Sequence, residues 1–310
     1  MSAQTKAGQS PVGQSQTAPG GEARAVAAAA LGSSLVGTVP YFAIGLYQAG
    51  MDVTSVLFWR YWIALAVLIP IAWYMSPSLR TEWSNAGRGL FLNALTLGAL
   101  QTYTYFRAVQ TVPSSVVITV FFVYPIITLA LDRYIFSIPV RWPSVAAVGL
   151  IFVGALLAGW PSLSLGSADM IGLICVLATP FVYAVYIAIA YRYTRQGSPF
   201  ASASAIYLGL GVAYAIAFLL FGARLPSGIG EWQSLFIIAI VGGVIQIASF
   251  AYALPRLSAG RYSIIVSLEL VTVVLIGVLL LGEQLTAIQF AGIGLVAVGI
   301  VADRLVRAKR

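Results

Sequence analysis

Five polar side chains stand inside stretches that are otherwise apolar: Arg60, Asn93, Gln101, Gln246 and Glu269. An ionisable group at the centre of a hydrocarbon-embedded helix costs about 2.5–3.5 kcal/mol on insertion scales, so each needs a compensating role. Glu269, near the middle of its run, suits a proton-coupling group or the partner of a solute ammonium; the alternative is a protonated or arginine-paired carboxylate that holds helices together. Arg60 lies about two turns inside its run, where it can meet a solute carboxylate, pair with Glu269, or snorkel its head toward the membrane surface. Gln101 and Gln246 are central in their runs and read as cavity-lining groups or interhelical hydrogen-bond partners. Asn93, about two turns before Gln101 on roughly the same helical face, extends that polar stripe.

Aromatic residues are abundant, with 16 Tyr and 15 Phe. Tyr183 and Tyr186 are neighbours at i, i+3 on one helix. Together with Tyr41, which follows Pro40, and with Tyr105, Tyr124 and Phe250, they are candidates to wall an apolar cavity for an amphipathic or aromatic solute. Each also serves as an ordinary packing residue. Asp132 and Glu283 sit near helix ends, where they can bond loop backbone or a neighbouring arginine, and are not assigned to solute.

Other chemistries lack their residues. There is no histidine, and the single cysteine, Cys175, lies in an apolar run, so a structural zinc site or an intrachain disulfide is not expected. The only lysines are Lys6 and Lys309, which excludes a Walker A lysine. No nucleophile–base pair has motif spacing, so no enzyme activity and no cofactor are expected. The net charge of +8 comes from arginines scattered singly and in pairs between apolar runs, which excludes a nucleic-acid-binding face.

The elements that must position these residues are helices in lipid. Hydrophobic residues make up 60% of the chain and charged residues 8%, against about 25% charged in a soluble domain. Apolar runs at 24–47, 53–75, 88–107, 112–134, 142–160, 168–191, 201–222, 232–253, 257–281 and 285–305 each match the roughly 20 helical residues that cross a bilayer. They are too long for barrel strands. Trp73, Trp83, Trp142, Trp160 and Trp232 fall near run ends, as an aromatic belt requires, and short polar connections such as 76–80 and 195–199 join the runs. With the N-terminus in the cytoplasm, the basic residues other than Arg60, Arg107 and Arg224 fall on the cytoplasmic side or in the terminal tails. This bias places both termini in the cytoplasm. Residues 1–23 read as a disordered cytoplasmic tail without the apolar core of a signal peptide, and 306–310 as a short C-terminal tail.

The segment 98–154 lies on 243–299 without a gap. Gln101 falls on Gln246, Ala108 on Ala253, Ala146 on Ala291, and Gly149 and Gly154 on Gly294 and Gly299. In the same register Tyr105 meets Phe250 and Tyr124 meets Glu269. The glycines read as helix-packing positions. The unit is five helices, an odd number, so the second copy enters the membrane from the opposite side. The expected fold is an all-α integral membrane protein of ten transmembrane helices in two inverted five-helix repeats, 24–160 and 168–305. Inverted repeats of this kind place a site near the midplane, between the halves.

The stretch Leu279-Leu280-Leu281-Gly282-Glu283-Gln284-Leu285, followed by Gln289, Gly292 and Gly299, resembles the EamA family of the drug/metabolite transporter superfamily, and Ala108, Pro125, Gly149 and Gly154 fit the same pattern in the first half. The resemblance covers about 24–305. The second half reads Glu269-Leu270 where the family often has Glu-Pro, and Ile138 stands where the first half would match Glu283. A bending signal is therefore present near Pro125 and missing at 270. The resemblance implies a multi-pass metabolite or drug exporter of a bacterial-type inner membrane; amino acids, including aromatic ones, are well represented among the family's solutes. The expected function is secondary transport of small amphipathic metabolites, amino acids first, with a vitamin, nucleoside or drug-like solute as the alternative. The expected partners are the solute and the bilayer, and ten helices can enclose a pathway within one chain.

Overall fold

A computed structural model describes residues 19–75, 86–159, 169–281 and 286–308. The expectations for most of the N-terminal tail, for the loop 76–80 with Trp83, for Trp160 and for Glu283 lie outside the described residues. Among the described residues the chain is helical, with no strand. In lipid this is the arrangement that satisfies every backbone N–H and C=O within its own segment.

Among the described residues each of the ten runs is helical over most of its length. Eight helices are long and apolar enough to cross a membrane, from Gly21–Gln48 to Ala259–Ile276. The third run, 88–111, is diluted by Gln101, Thr102, Thr104 and Arg107. The tenth has a shorter apolar stretch, Ala287–Asp303, within the helix Ala287–Ala308. The first helix begins at Pro19, inside the segment 1–23 expected to be a disordered tail, because proline suits a first helical turn, the acidic Glu22 stands in that turn, and Glu22 pairs with Arg261 of the ninth span.

Three spans are broken near their middles. The first divides into Pro19–Val36 and Val39–Gln48, with Pro40 at the start of the second piece, where a missing N–H costs nothing. The fourth divides into Ser114–Phe121 and Tyr124–Tyr134, again with a proline, Pro125, in the first turn of the second piece. The ninth divides into Ala259–Val266 and Leu268–Leu281. No proline explains this last break. Ser267 donates its hydroxyl to the Ser263 carbonyl at 2.9 Å, the back-bonding that competes with and bends helices. The bend missing from the sequence signal at 270 is thus present three residues earlier, at the repeat counterpart of the break at Phe122.

The third and eighth spans share a different irregularity. Each contains a π-helical stretch, Ala94–Gly98 and Ile240–Ile245, just before its glutamine. Such stretches carry one extra residue per turn and occur often at functional sites.

The two halves pack with pseudo-twofold symmetry. The fifth span lies along the tenth, the fourth against the ninth, and the second against the seventh. The first span reaches into the second half to meet the eighth and ninth, while the sixth meets the third and fourth. At the crossing of the fifth and tenth spans the backbones touch. A Cβ on Gly154 would lie 2.6 Å from the Gly292 carbonyl, and one on Gly299 2.9 Å from that of Ala147. These small residues permit an approach that no apolar driving force supplies in lipid. Gly149 and Gly294, expected to pack in the same way, are exposed with open space around them, because they sit on the outer face of the same helices.

The ends of the spans are tied by polar contacts. Asp169 caps the sixth span by accepting the Gly172 N–H at 2.7 Å, and it pairs with Arg107 of the third span. At another junction the buried Asp132 carboxylate accepts the Gly260 N–H at 2.8 Å, tying the fourth span to the ninth. Asp132 therefore bonds backbone, as its position near a helix end suggests.

Candidate functional site

The breaks and π-helical stretches converge on one cavity of about 110 Å³ at the centre of the bundle. The third and eighth spans contribute Gly98 and Gln101, Gly242 and Gln246. The second contributes Arg60 and Tyr61, and the ninth Glu269, the second residue after its break. Each break brings a helix end, rather than a continuous helix, to the cavity wall.

Two ionisable groups of opposite type face this space. Arg60 is only 8% exposed. One of its Nη atoms donates to the Gly242 carbonyl at 2.8 Å, and its guanidinium lies over the rings of Phe106 and Tyr61 at 5.1 and 5.5 Å. Its Nε has no hydrogen-bond partner among the described residues. Glu269 is equally buried, at 8% exposure. Among the described residues no ion pair joins the two. Burying an ionisable group is costly, so each is a group for which an incoming counter-charge is favourable.

The walls are aromatic. Tyr183, Tyr186 and Phe250 form a ladder with centroids 6.3 and 6.2 Å apart and interplanar angles of 21° and 16°. Tyr61 stacks on Tyr214 at 5.4 Å and 10°, and donates to the Thr102 hydroxyl at 3.1 Å. Tyr105 lines the cavity with a buried hydroxyl that has no partner among the described residues. The combination is an apolar slot with a few unsatisfied polar groups, the usual composition of a small-molecule site.

Of the residues singled out from sequence, Arg60, Gln101, Tyr105, Tyr183, Tyr186, Gln246, Phe250 and Glu269 line the cavity together. Three do not. Asn93 donates to the Tyr186 carbonyl at 3.1 Å and so holds the sixth span in place. Asn93 lies about two turns from Gln101 along the third span and outside the cavity lining. Tyr124 is fully buried behind the wall, its ring 4.9 Å from that of Tyr183 and its hydroxyl donating to the Ser263 carbonyl at 3.3 Å. Tyr41 lies beyond the break of the first span, where its ring packs edge-on against Phe42. Conversely, Tyr61, Thr102, Phe106 and Tyr207 line the cavity without having been singled out. Adjacency to Arg60 and Gln101 was the available signal for Tyr61 and Thr102. Among the described residues no group of three potential metal ligands occurs.

The profile of the EamA-like transporter family matches residues 23–160 and again 170–302, one match for each half. A solved crystal structure of another protein superposes with a TM-score of 0.77, covering 93% of this chain and 99% of its own, at 14% sequence identity. At that identity the likeness shows the fold alone. Among curated proteins none matches this sequence.

Proposed function

The chain belongs to the EamA-like transporter family, and on that premise we propose that it is a secondary transporter exporting, or facilitating passage of, amino acids, aromatic ones included. The family's members are transporters rather than enzymes. The observation that carries the solute class is the pair Arg60 and Glu269, ionisable groups of opposite type from opposite halves that face one cavity without a direct ion pair between them among the described residues. A zwitterion answers both. Glu269 meets the ammonium group, the Arg60 and glutamine side meets the carboxylate, and the aromatic ladder takes the side chain.

Transport follows by alternating access, in which the two five-helix halves rock about the cavity. The broken first, fourth and ninth spans supply the joints. The Arg107–Asp169 contact between the third and sixth spans, and the Asp132–Gly260 contact between the fourth and ninth, are the kind of polar ties that must be remade as the halves move. The arginine distribution supports a multi-pass protein of a bacterial-type inner membrane with both termini in the cytoplasm.

Counterflow of radiolabelled L-phenylalanine into liposomes loaded with unlabelled L-phenylalanine tests this reading. The expected result is transient accumulation, competed by other zwitterionic amino acids and not by phenylpropionate or phenethylamine, which lack one charge each. Uptake competed equally by neutral planar compounds would favour the second reading, a nucleoside, vitamin or drug-like solute held mainly by the Tyr183–Tyr186–Phe250 ladder. No flux of either class would defeat both.

A further inference from the structure

Arg60 and the π-helical stretch of the eighth span are bonded in a way that a regular helix would forbid. In an α-helix the Gln246 N–H would donate to the carbonyl four residues earlier, that of Gly242. Here it donates to the Gly243 carbonyl instead. The Gly242 carbonyl receives Arg60 Nη2 at 2.8 Å, from a different span. The guanidinium is fixed in that position by the rings of Phe106 and Tyr61, at 5.1 and 5.5 Å. Gly242 is held as well, since a Cβ there would lie 2.1 Å from Val39 of the first span. The third span handles its π-helical stretch differently. The Ala99 N–H turns to the Ala94 and Thr96 carbonyls, and the contact from outside is a tyrosine hydroxyl, Tyr214 to the Ala99 carbonyl at 2.8 Å.

We propose that Arg60 is a positioning residue: by occupying the Gly242 carbonyl that has lost its α-helical donor, it holds the eighth span in π-helical register and so keeps Gln246 turned into the cavity. One residue's worth of rotation is about 100° of helix, enough to carry a side chain from a cavity face to a packed one. Without the clamp, the Gln246 N–H is free to return to the Gly242 carbonyl, and Gln246 swings out of the site. The clamp matters to transport on the reading that the cavity is the solute site. There Arg60 acts on the solute through Gln246, over and above any direct contact.

The test joins a double-mutant cycle to a measurement that needs no solute. Binding of L-phenylalanine to the purified full chain is measured by calorimetry for the wild type, Arg60→Ala, Gln246→Ala and the double variant. Each single change is expected to weaken binding about tenfold, and the double variant no more than about threefold beyond the worse single one, because coupled residues are not additive. Amide hydrogen exchange in detergent is then compared for 242–247 and 94–99. Arg60→Ala is expected to change protection in 242–247 and leave 94–99 as it was, and Arg60→Lys, which keeps one donor, to restore most of the protection. Losses that multiply in the double variant, or exchange in 242–247 that is unchanged in Arg60→Ala, would overturn the proposal. If Arg60→Ala does not fold, Arg60→Lys carries the same comparison with Arg60→Gln. Absence of L-phenylalanine binding in the wild type would strike the solute reading, while the exchange arm still decides the clamp.

Discussion

The third and eighth spans occupy equivalent places in the two halves, yet their surroundings differ. Both carry a π-helical stretch followed by a glutamine on the cavity wall. Around Gln101 stand hydroxyls: Thr102 beside it, Tyr61 bonded to Thr102, and Tyr105 one turn on. Around Gln246 the corresponding positions hold Ile247 and Phe250, and the polar group is the charged Arg60. The fourth and ninth spans repeat the lesson. They break at equivalent residues, but the first half places Tyr124 behind the wall where the second places Glu269 on it. In these two pairs of spans the backbone irregularities match. The side chains are asymmetric, so the two sides of the cavity present different chemistry.

That comparison breaks most severely at the Glu269/Tyr124 pair. Glu269→Gln keeps the shape and removes the charge, and L-phenylalanine counterflow is expected to fall by about ten- to a hundredfold, the range for losing a charged hydrogen bond. Tyr124→Phe, at the equivalent position, should leave the solute affinity within about threefold. Equal losses would mean that the two halves are functionally symmetric after all.

The next contrast lies within the fifth span. Gly154→Ala forces a Cβ against the Gly292 carbonyl and is expected to destabilise by about 1–3 kcal/mol. Gly149→Ala meets open space and should be neutral or slightly stabilising, because alanine favours helix. Thermal unfolding in detergent separates the two.

A smaller effect is expected at the glutamines. Replacing either with alanine removes neutral hydrogen bonds, worth about 0.5–1.5 kcal/mol each, so affinity should fall about two- to tenfold. Gln246→Ala is expected to be the more damaging, since Gln101 keeps hydroxyl neighbours that can stand in for it; calorimetric binding measures the difference.

The smallest concerns the contact between the third and sixth spans. The Gly172 N–H first, then Thr111 and Arg107, hold the Asp169 carboxyl below the usual carboxylate range. A depressed carboxyl contributes its stability in full above its unfolded value, about 3.9, and loses it as the pH falls through the lower folded value. The melting-temperature advantage of wild type over Asp169→Asn should therefore shrink as the pH is taken from about 5 to about 3.

The spans and their repeat were legible because run length and a gapless register are strong signals in an apolar chain. The cavity was partly legible: a charged or amide side chain in lipid has few places to go, which picked out Arg60, Gln101, Gln246 and Glu269. What stayed hidden depended on backbone register. No residue type announces a π-helical stretch, and nothing in the sequence shows that Asn93 bonds the Tyr186 carbonyl instead of lining the cavity. The break at Ser267 coincides with a hydroxyl back-bond of a kind that unbroken spans also carry, so the serine gives no distinct signal in the sequence. Tyr207 and Phe106 were indistinguishable in sequence from the many aromatics that only pack.

The crossing of the fifth and tenth spans has a mutational consequence. Its glycines meet backbone, which cannot repack, so almost any change there is paid in folding. The cavity walls face open space on one side, although Arg60 and Tyr61 also bond neighbouring spans. A change at the crossing is therefore expected to be felt by the whole bundle, and a change at an unbonded wall group such as the Tyr105 hydroxyl by the cavity alone.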